Sequence, residues 1–259
     1  MTSKVIAITG GASGIGAATA RLIAERGASA ICVGDLSSHL FDDLKESIQE
    51  INPSTRVHCT VLDVTQSVEV EKWIQEIVDL FGDIHGAANI AGIAQGEGIR
   101  KSQPNILHET DEEWAKIFRT NLDGVFYSTR AQVRAMKTLE KADRSIVNVG
   151  SIAGMFHVPD VYAYGTSKGA CAYFTKCVAK DVIDFGVRVN NVSPGITRTP
   201  LLPQFNPSAK SIDEIERMYK KDGFMLLQPE DIARTIAWLL SDDSKPVYGA
   251  DLNVGAPPP

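Results

Sequence analysis

The 259-residue chain has four cysteines and five histidines, and neither set is spaced for a metal site or a disulfide framework. Cys32, Cys59, Cys171 and Cys177 form no CxxC pair and the histidines stand singly, so reduced thiols and no bound metal are expected. Basic charge is also scarce. Lys and Arg total 26 against 32 Asp and Glu, a net charge of −6, with no basic run able to follow a phosphate backbone. That argues against nucleic acid as a partner. Long apolar runs are missing too. The start, MTSKVIAITGG, has only a short one after Lys4, and no later stretch approaches the ~20 residues of a membrane span. A soluble, cytoplasmic protein is expected, with no membrane partner.

What is present is ordinary for a globular enzyme: 44% hydrophobic and 22% charged residues, in a length that fits one α/β domain over 1–259. Short β-branched runs alternate with helical patterns. Strands are expected at 4–10, 29–35, 56–63, 84–92, 145–151, 187–195 and 247–254, about seven in all. Helices fall between them, including 66–81 with its apolar stripe, a long one over 111–138, and 163–185. Strands alternating with helices require parallel crossovers, which put helices on both faces of one sheet. The fold class is therefore α/β, a single doubly wound parallel sheet of the Rossmann type. An excursion at 198–228 carries Pro200, Pro203 and Pro207, then a capping box of Ser211 and Glu214 that opens an amphipathic helix. It reads as a small substrate lid. The closing PPP reads as a stiff exposed tail.

Directly after the first strand comes TGGASGIG, residues 9–16, leading into a helix. Glycines at 10, 14 and 16 permit a tight turn and close approach of a pyrophosphate, stabilised by free amides at the positive end of the helix dipole. Asp35 ends the second strand 19 residues after Gly16, where a ribose-binding carboxylate belongs. A carboxylate there would repel a 2′-phosphate, and Ala12, Ser13 and Leu36 offer no compensating cation, so NAD is favoured over NADP.

Residues 162–168 read YAYGTSK. On a helix Tyr164 and Lys168, four apart, share a face, whereas Tyr162 points away. Alone, the pair would read as a packed aromatic and a solvated charge. It does not stand alone, because the sequence resembles the short-chain dehydrogenase/reductase family over essentially its whole length. TGGASGIG matches the family's TGxxxGxG turn; Asn89, Ala91 and Gly92 match its NNAG strand end, with Ile90 in place of the second Asn; PGITRT at 194–199 matches PGxxxT; and Asn121, Ser151, Tyr164 and Lys168 match its catalytic Asn, Ser, Tyr and Lys.

The resemblance implies that Gly10, Ser13, Gly14, Ile15 and Gly16 line the diphosphate and Asp35 the adenosine ribose. Asp63 and Val64 would flank the adenine, Asn89 and Ala91 the nearby ribose, Thr197 and Thr199 the nicotinamide end. Tyr164 would be the acid/base, Ser151 a donor to the substrate oxygen, Lys168 a ribose ligand, and Asn121 the holder of a relay water. A phenol of pKa about 10 must be tuned for that role; an ammonium ~4 Å away contributes ~4 kcal/mol at an effective dielectric of 20, about three pKa units, and oxidised nicotinamide adds a second positive charge, together bringing Tyr164 near 7. The expected activity is hydride transfer between the nicotinamide and a secondary alcohol or ketone on an apolar small molecule. An NADP-dependent carbonyl reductase, a biosynthetic step on the same tetrad, and a cofactor sensor without turnover are the alternatives. The pocket would be built from 93–110, 152–161 and the lid, with Met155, Phe156, His157, Leu201, Phe205, Met218 and Phe224. By the same resemblance the two long helices imply a homo-oligomer, tetramer or dimer.

Overall fold

The computed structural model describes residues 1–95, 105–158 and 160–255. Seven parallel strands form one sheet in the order β3-β2-β1-β4-β5-β6-β7: β1 Val5–Thr9, β2 Ala30–Asp35, β3 Arg56–Val61, β4 Gly86–Asn89, β5 Arg144–Val149, β6 Val187–Pro194 and β7 Asp251–Val254. The expected doubly wound sheet is present, with most strands shorter than the apolar runs suggested. The closing PPP lies outside the described residues, as does 96–104 of the expected pocket loop.

Alternation along β1 divides the core. Ile6 and Ile8 pack on one face with α1 (Gly14–Glu25), α2 (Phe41–Ile51) and α8 (Pro229–Leu239). Val5 and Ala7 face the other way, toward α3 (Ser67–Phe81), α5 (Gly124–Thr138) and α6 (Tyr162–Val182). Strand order reverses between β1 and β4, so their carboxyl ends splay apart into the crevice where an open α/β sheet takes a ligand.

The helix expected over 111–138 is present but is not one regular helix. It begins as α4 (Asp111–Phe118), widens into a π turn at Arg119–Asp123, and continues as α5. The π turn contains Asn121. Such turns cluster at functional sites because the extra residue redirects a side chain.

A buried polar cluster locks the elements beneath the crevice. Asn89 Nδ2 on β4 donates to Thr129 Oγ1, Gln132 Oε1 and Asn148 Oδ1, and Asn148 Nδ2 donates to Thr175 Oγ1 on α6. Each bond is desolvated and satisfied, so the cluster fixes β4, β5, α5 and α6 in one register. At the far end of the sheet the Arg188 guanidinium, 2% exposed, donates to Asp143, to Ser244 Oγ and to the carbonyls of Leu239, Ser241 and Ser244.

The excursion after β6 carries α7 (Ile212–Lys221), capped by Ser211 as its sequence implies. Its base is closed where Leu227 N donates to Ile196 O at 2.8 Å and Arg198 N to Leu227 O at 2.9 Å. Arg198 also reaches α7, with Nη2 on Asp213 Oδ1 and Nη1 on Glu216 Oε2, both at 2.7 Å. No helix among the described residues is long and apolar enough to cross a membrane.

Candidate active site

The turn after β1 has no room for side chains. A Cβ on Gly16 would fall 2.0 Å from the Gly10 carbonyl oxygen, and one on Gly10 would fall 2.7 Å from Ala91 Cα. Ser13 precedes α1 without a side-chain cap, so its hydroxyl accepts from none of the first-turn amides of α1, the arrangement a phosphate needs. Gly14 faces Thr199 across the crevice. Asp35 Oδ2 accepts from Ala12 N at 3.0 Å and Oδ1 from Ser37 N at 3.3 Å, which aims the carboxylate at the rim of the turn, and no ion pair reaches it among the described residues. These residues fit a dinucleotide.

The other residues expected to meet the cofactor sit in differing surroundings. Asp63 Oδ1 accepts from Thr65 N, closing the loop after β3. Val64 is buried against Gly124 of α5, so its side chain belongs to the core and only its backbone is left for a ligand. The Asn89 side chain is consumed by the polar cluster, consistent with a role through the backbone. Thr197 Oγ1 donates to Gly195 O, while Ile15, Thr197 and Thr199 line the cavity described next.

That cavity, about 820 Å³, opens between the crevice and the lid. Ser151, Tyr164 and Lys168 all line it. Ser151 follows β5, and the short turn after it lies directly on α6: a Cβ on Gly154 would meet Gly169 N at 2.4 Å, and one on Gly165 would meet Ala153 O at 2.8 Å. Glycine on both sides therefore brings the serine to the tyrosine. Tyr164 is 8% exposed, and its ring meets Phe205 of the lid edge-on, centroids 5.0 Å apart. Lys168 Nζ donates to Val149 O at 2.9 Å and lies 5.9 Å from the Tyr164 ring centroid.

In the protein alone, with no nicotinamide beside it, burial works against a low phenol pKa. Burial raises the Tyr164 pKa above its ordinary value, a hydrogen bond from Ser151 only partly opposing it, and burial lowers that of Lys168. The low dielectric disfavours both charges, and the amine donates to the Val149 carbonyl. Protein groups alone do not bring the phenol down; a further cation or donor in the cavity is needed.

Asn121 is fully buried, with Oδ1 accepting from Ile93 N at 2.8 Å and Nδ2 donating to Ile93 O at 3.0 Å. Its amide grips the chain after β4 and is thereby occupied, so any water held here would use its backbone. Tyr162 is half-buried and does not line the cavity. Of the expected pocket residues, His157, Leu201, Phe205, Met218 and Phe224 line it; Met155 and Phe156 do not and are exposed. The structure adds Asp160, Asn206, Tyr219 and Asp222, polar groups for which hydropathy gives no signal. Among the described residues no cluster of His, Cys, Asp or Glu could hold a metal ion.

Residues 10–256 match a family model described as Enoyl-(Acyl carrier protein) reductase. The chain is 67% identical over 257 residues to the chanoclavine-I dehydrogenase of Penicillium roqueforti, covering 99% of this chain and 98% of that protein. It is 66% identical to that of Aspergillus fumigatus over 98% and 97%, and 64% identical to that of Claviceps purpurea over 100% and 99%. Among solved structures it resembles levodione reductase, with TM-score 0.87, 28% identity and coverage of 98% and 97%. NAD+-bound xylitol dehydrogenase gives TM-score 0.83 and 27% identity over 98% of each chain. The sheet, the bare-amide turn and these likenesses agree: the chain belongs to the short-chain dehydrogenase/reductase family and is an oxidoreductase of CH–OH groups.

Proposed function

We propose that this chain dehydrogenates chanoclavine-I, or a molecule close to it, with NAD as the hydride acceptor. The observation that carries the reading is identity of 58–67% over at least 99% of the chain to four relatives of that name, from three genera, Penicillium, Arthroderma and Claviceps. The Asp35 carboxylate supports NAD, since it would accept from ribose hydroxyls and repel a 2′-phosphate. The enoyl-reductase description of the family model is a poorer guide, because the more similar relatives are named dehydrogenases.

Bound in the crevice, the oxidised nicotinamide would take the carbinol hydride. The chain's own groups do the rest. Tyr164 accepts the hydroxyl proton, and Ser151 donates to the substrate oxygen as charge develops there. Lys168, buried beside the ring, binds the nicotinamide ribose and supplies a positive field. Apolar side chains such as Ile152, Leu201, Phe205 and Met218 exclude water from the transferred hydride. Exposed aromatics on α5 and α6, Phe126 and Tyr173, support a homo-oligomer.

The test is direct. Purified protein is mixed with chanoclavine-I and NAD or NADP, and absorbance of the reduced nicotinamide is followed. The reading expects turnover with NAD well above NADP. No reduction with either cofactor, while simple secondary alcohols are oxidised, would reject the substrate.

A further inference from the structure

Helix α6 carries Tyr164 on its first turn, yet its own sequence does not cap it. The residue before it is Val161, which has no side-chain acceptor, and no local cap bond forms. An orphan amide at the third helical position normally takes a bond from a Ser, Thr, Asp or Asn at the cap. Here that amide is the backbone N–H of Tyr164 itself, and it donates to Oε1 of Gln95, 69 residues earlier, at 3.1 Å.

Gln95 is 1% exposed, on the chain that leaves β4 after Asn89. Its other terminal atom is spoken for: Nε2 donates to Glu109 Oε2 at 2.6 Å. The chemistry fixes which way the amide points, since only its oxygen can face an N–H and only its nitrogen a carboxylate. Glu109 precedes Thr110, the cap of α4, and its Oε1 is buried with no hydrogen-bond partner among the described residues. Burial raises the Glu109 pKa, the bond from Gln95 partly offsetting it. A carboxylate that leaves one oxygen desolvated to reach an amide is a cost the fold retains, and each such group calls for an explanation.

We propose that Glu109 and Gln95 form a clasp that positions Tyr164: the carboxylate orients the Gln95 amide, and the amide oxygen holds the first turn of the catalytic helix. Both are positioning residues and neither touches the reacting atoms. Asn121 grips Ile93 two residues before Gln95, so the segment between β4 and the helix is held at both points. The clasp joins positions 95 and 109, so the spacing of those two points and the placement of the phenol are set by the same two bonds. Replacing either partner frees the Tyr164 amide, and the ring loses the fixed distance to Ser151 on which proton transfer depends.

The inference rests on Tyr164 being the acid/base. Its test uses the full chain in three forms: Gln95→Leu, Gln95→Glu, and Gln95→Glu combined with Glu109→Gln. Two quantities are read, hydrogen exchange at the 162–168 amides, which needs no substrate, and kcat with KM for NAD. Gln95→Leu is expected to lose exchange protection at Tyr164 and to drop kcat roughly ten- to a hundredfold with KM for NAD unchanged, the scale expected of an ångström-level displacement. Gln95→Glu sets two carboxylates face to face and falls further. The double variant restores a donor at 109 and an acceptor at 95, and regains both protection and kcat; a role in bulk packing alone would show no such rescue. Unchanged exchange and kcat in Gln95→Leu overturns the clasp, and so does a double variant no better than Gln95→Glu, folded or not. If Gln95→Leu fails to fold, the comparison of the other two decides. A wild-type enzyme inactive on chanoclavine-I counts against the proposed substrate and leaves the clasp to be judged on exchange.

Discussion

Removing the charge of Lys168 should move the pH profile of the enzyme by a predictable amount. In the proposed mechanism alcohol oxidation needs the deprotonated phenol, so kcat/KM should rise with pH and level off above the Tyr164 pKa. Burial pushes that pKa up, and the bond from Ser151 pulls it partly back. The ammonium of Lys168 acts in the same downward sense, 5.9 Å from the ring centroid. Taking that as the charge separation, Coulomb's law at an effective dielectric of 20 gives about 2.8 kcal/mol, or about two pKa units. Lys168→Met keeps the aliphatic stem and discards the charge. The midpoint of the acid limb should therefore move about two units upward, and at pH values below both midpoints the rate falls about a hundredfold. The variant also leaves Val149 O without its donor, so lost rate alone proves nothing; the midpoint is the diagnostic. The assay is kcat/KM for alcohol oxidation across pH 6 to 11 at saturating NAD, and a shift below about half a unit refutes the electrostatic account.

Other expectations follow from the geometry. Tyr164→Phe abolishes turnover while NAD binding, read by fluorescence titration, persists; Tyr162→Phe stays active, and the reverse result would dismiss the assignment. Asp35→Ser removes a charge-assisted acceptor, so KM for NAD rises roughly ten- to a hundredfold and discrimination against NADP shrinks in paired titrations. Gly154→Ala drives a Cβ to 2.4 Å from Gly169 N, displacing Ser151; kcat falls roughly a hundredfold with NAD affinity intact, which single-turnover kinetics can separate. Arg188→Ala strands Asp143 and three carbonyls at the far end of the sheet, costing about 3–5 kcal/mol. At this chain length that is a fall of roughly 10 °C in Tm, with kcat at 25 °C unchanged, and calorimetry beside an activity assay checks both.

The sheet was legible because buried parallel strands spell themselves as β-branched runs, and the cofactor turn because glycine at 10 and 16 is a steric necessity that no other residue meets. Tyr164 and Lys168 were legible from helical spacing joined to a family resemblance. Less could be read where a side chain acts across a long sequence separation. Nothing in the neighbourhood of Gln95 announces that its oxygen meets an amide 69 residues on, and nothing around Asn121 announces a widened helical turn. The phenol's setting is hidden for a related reason: spacing places an ammonium on the same face but says nothing of the Val149 carbonyl that competes for it or of how thoroughly water is excluded. Met155 and Phe156 look like pocket lining by hydropathy, yet the turn that lays Gly154 on Gly169 carries them outward to solvent.

The π turn at Arg119–Asp123 has a consequence for how this chain tolerates change. One helical rod serves two clients, Asn121 toward the Ile93 backbone after β4 and Thr129 with Gln132 toward the polar cluster under β4. Each residue of a regular helix advances the azimuth by about 100°, so deleting one residue there would straighten the rod and swing one client away from its partner. Selection is therefore free to vary what the rod shows to solvent, while the count of residues between positions 121 and 129 is pinned by both ends at once.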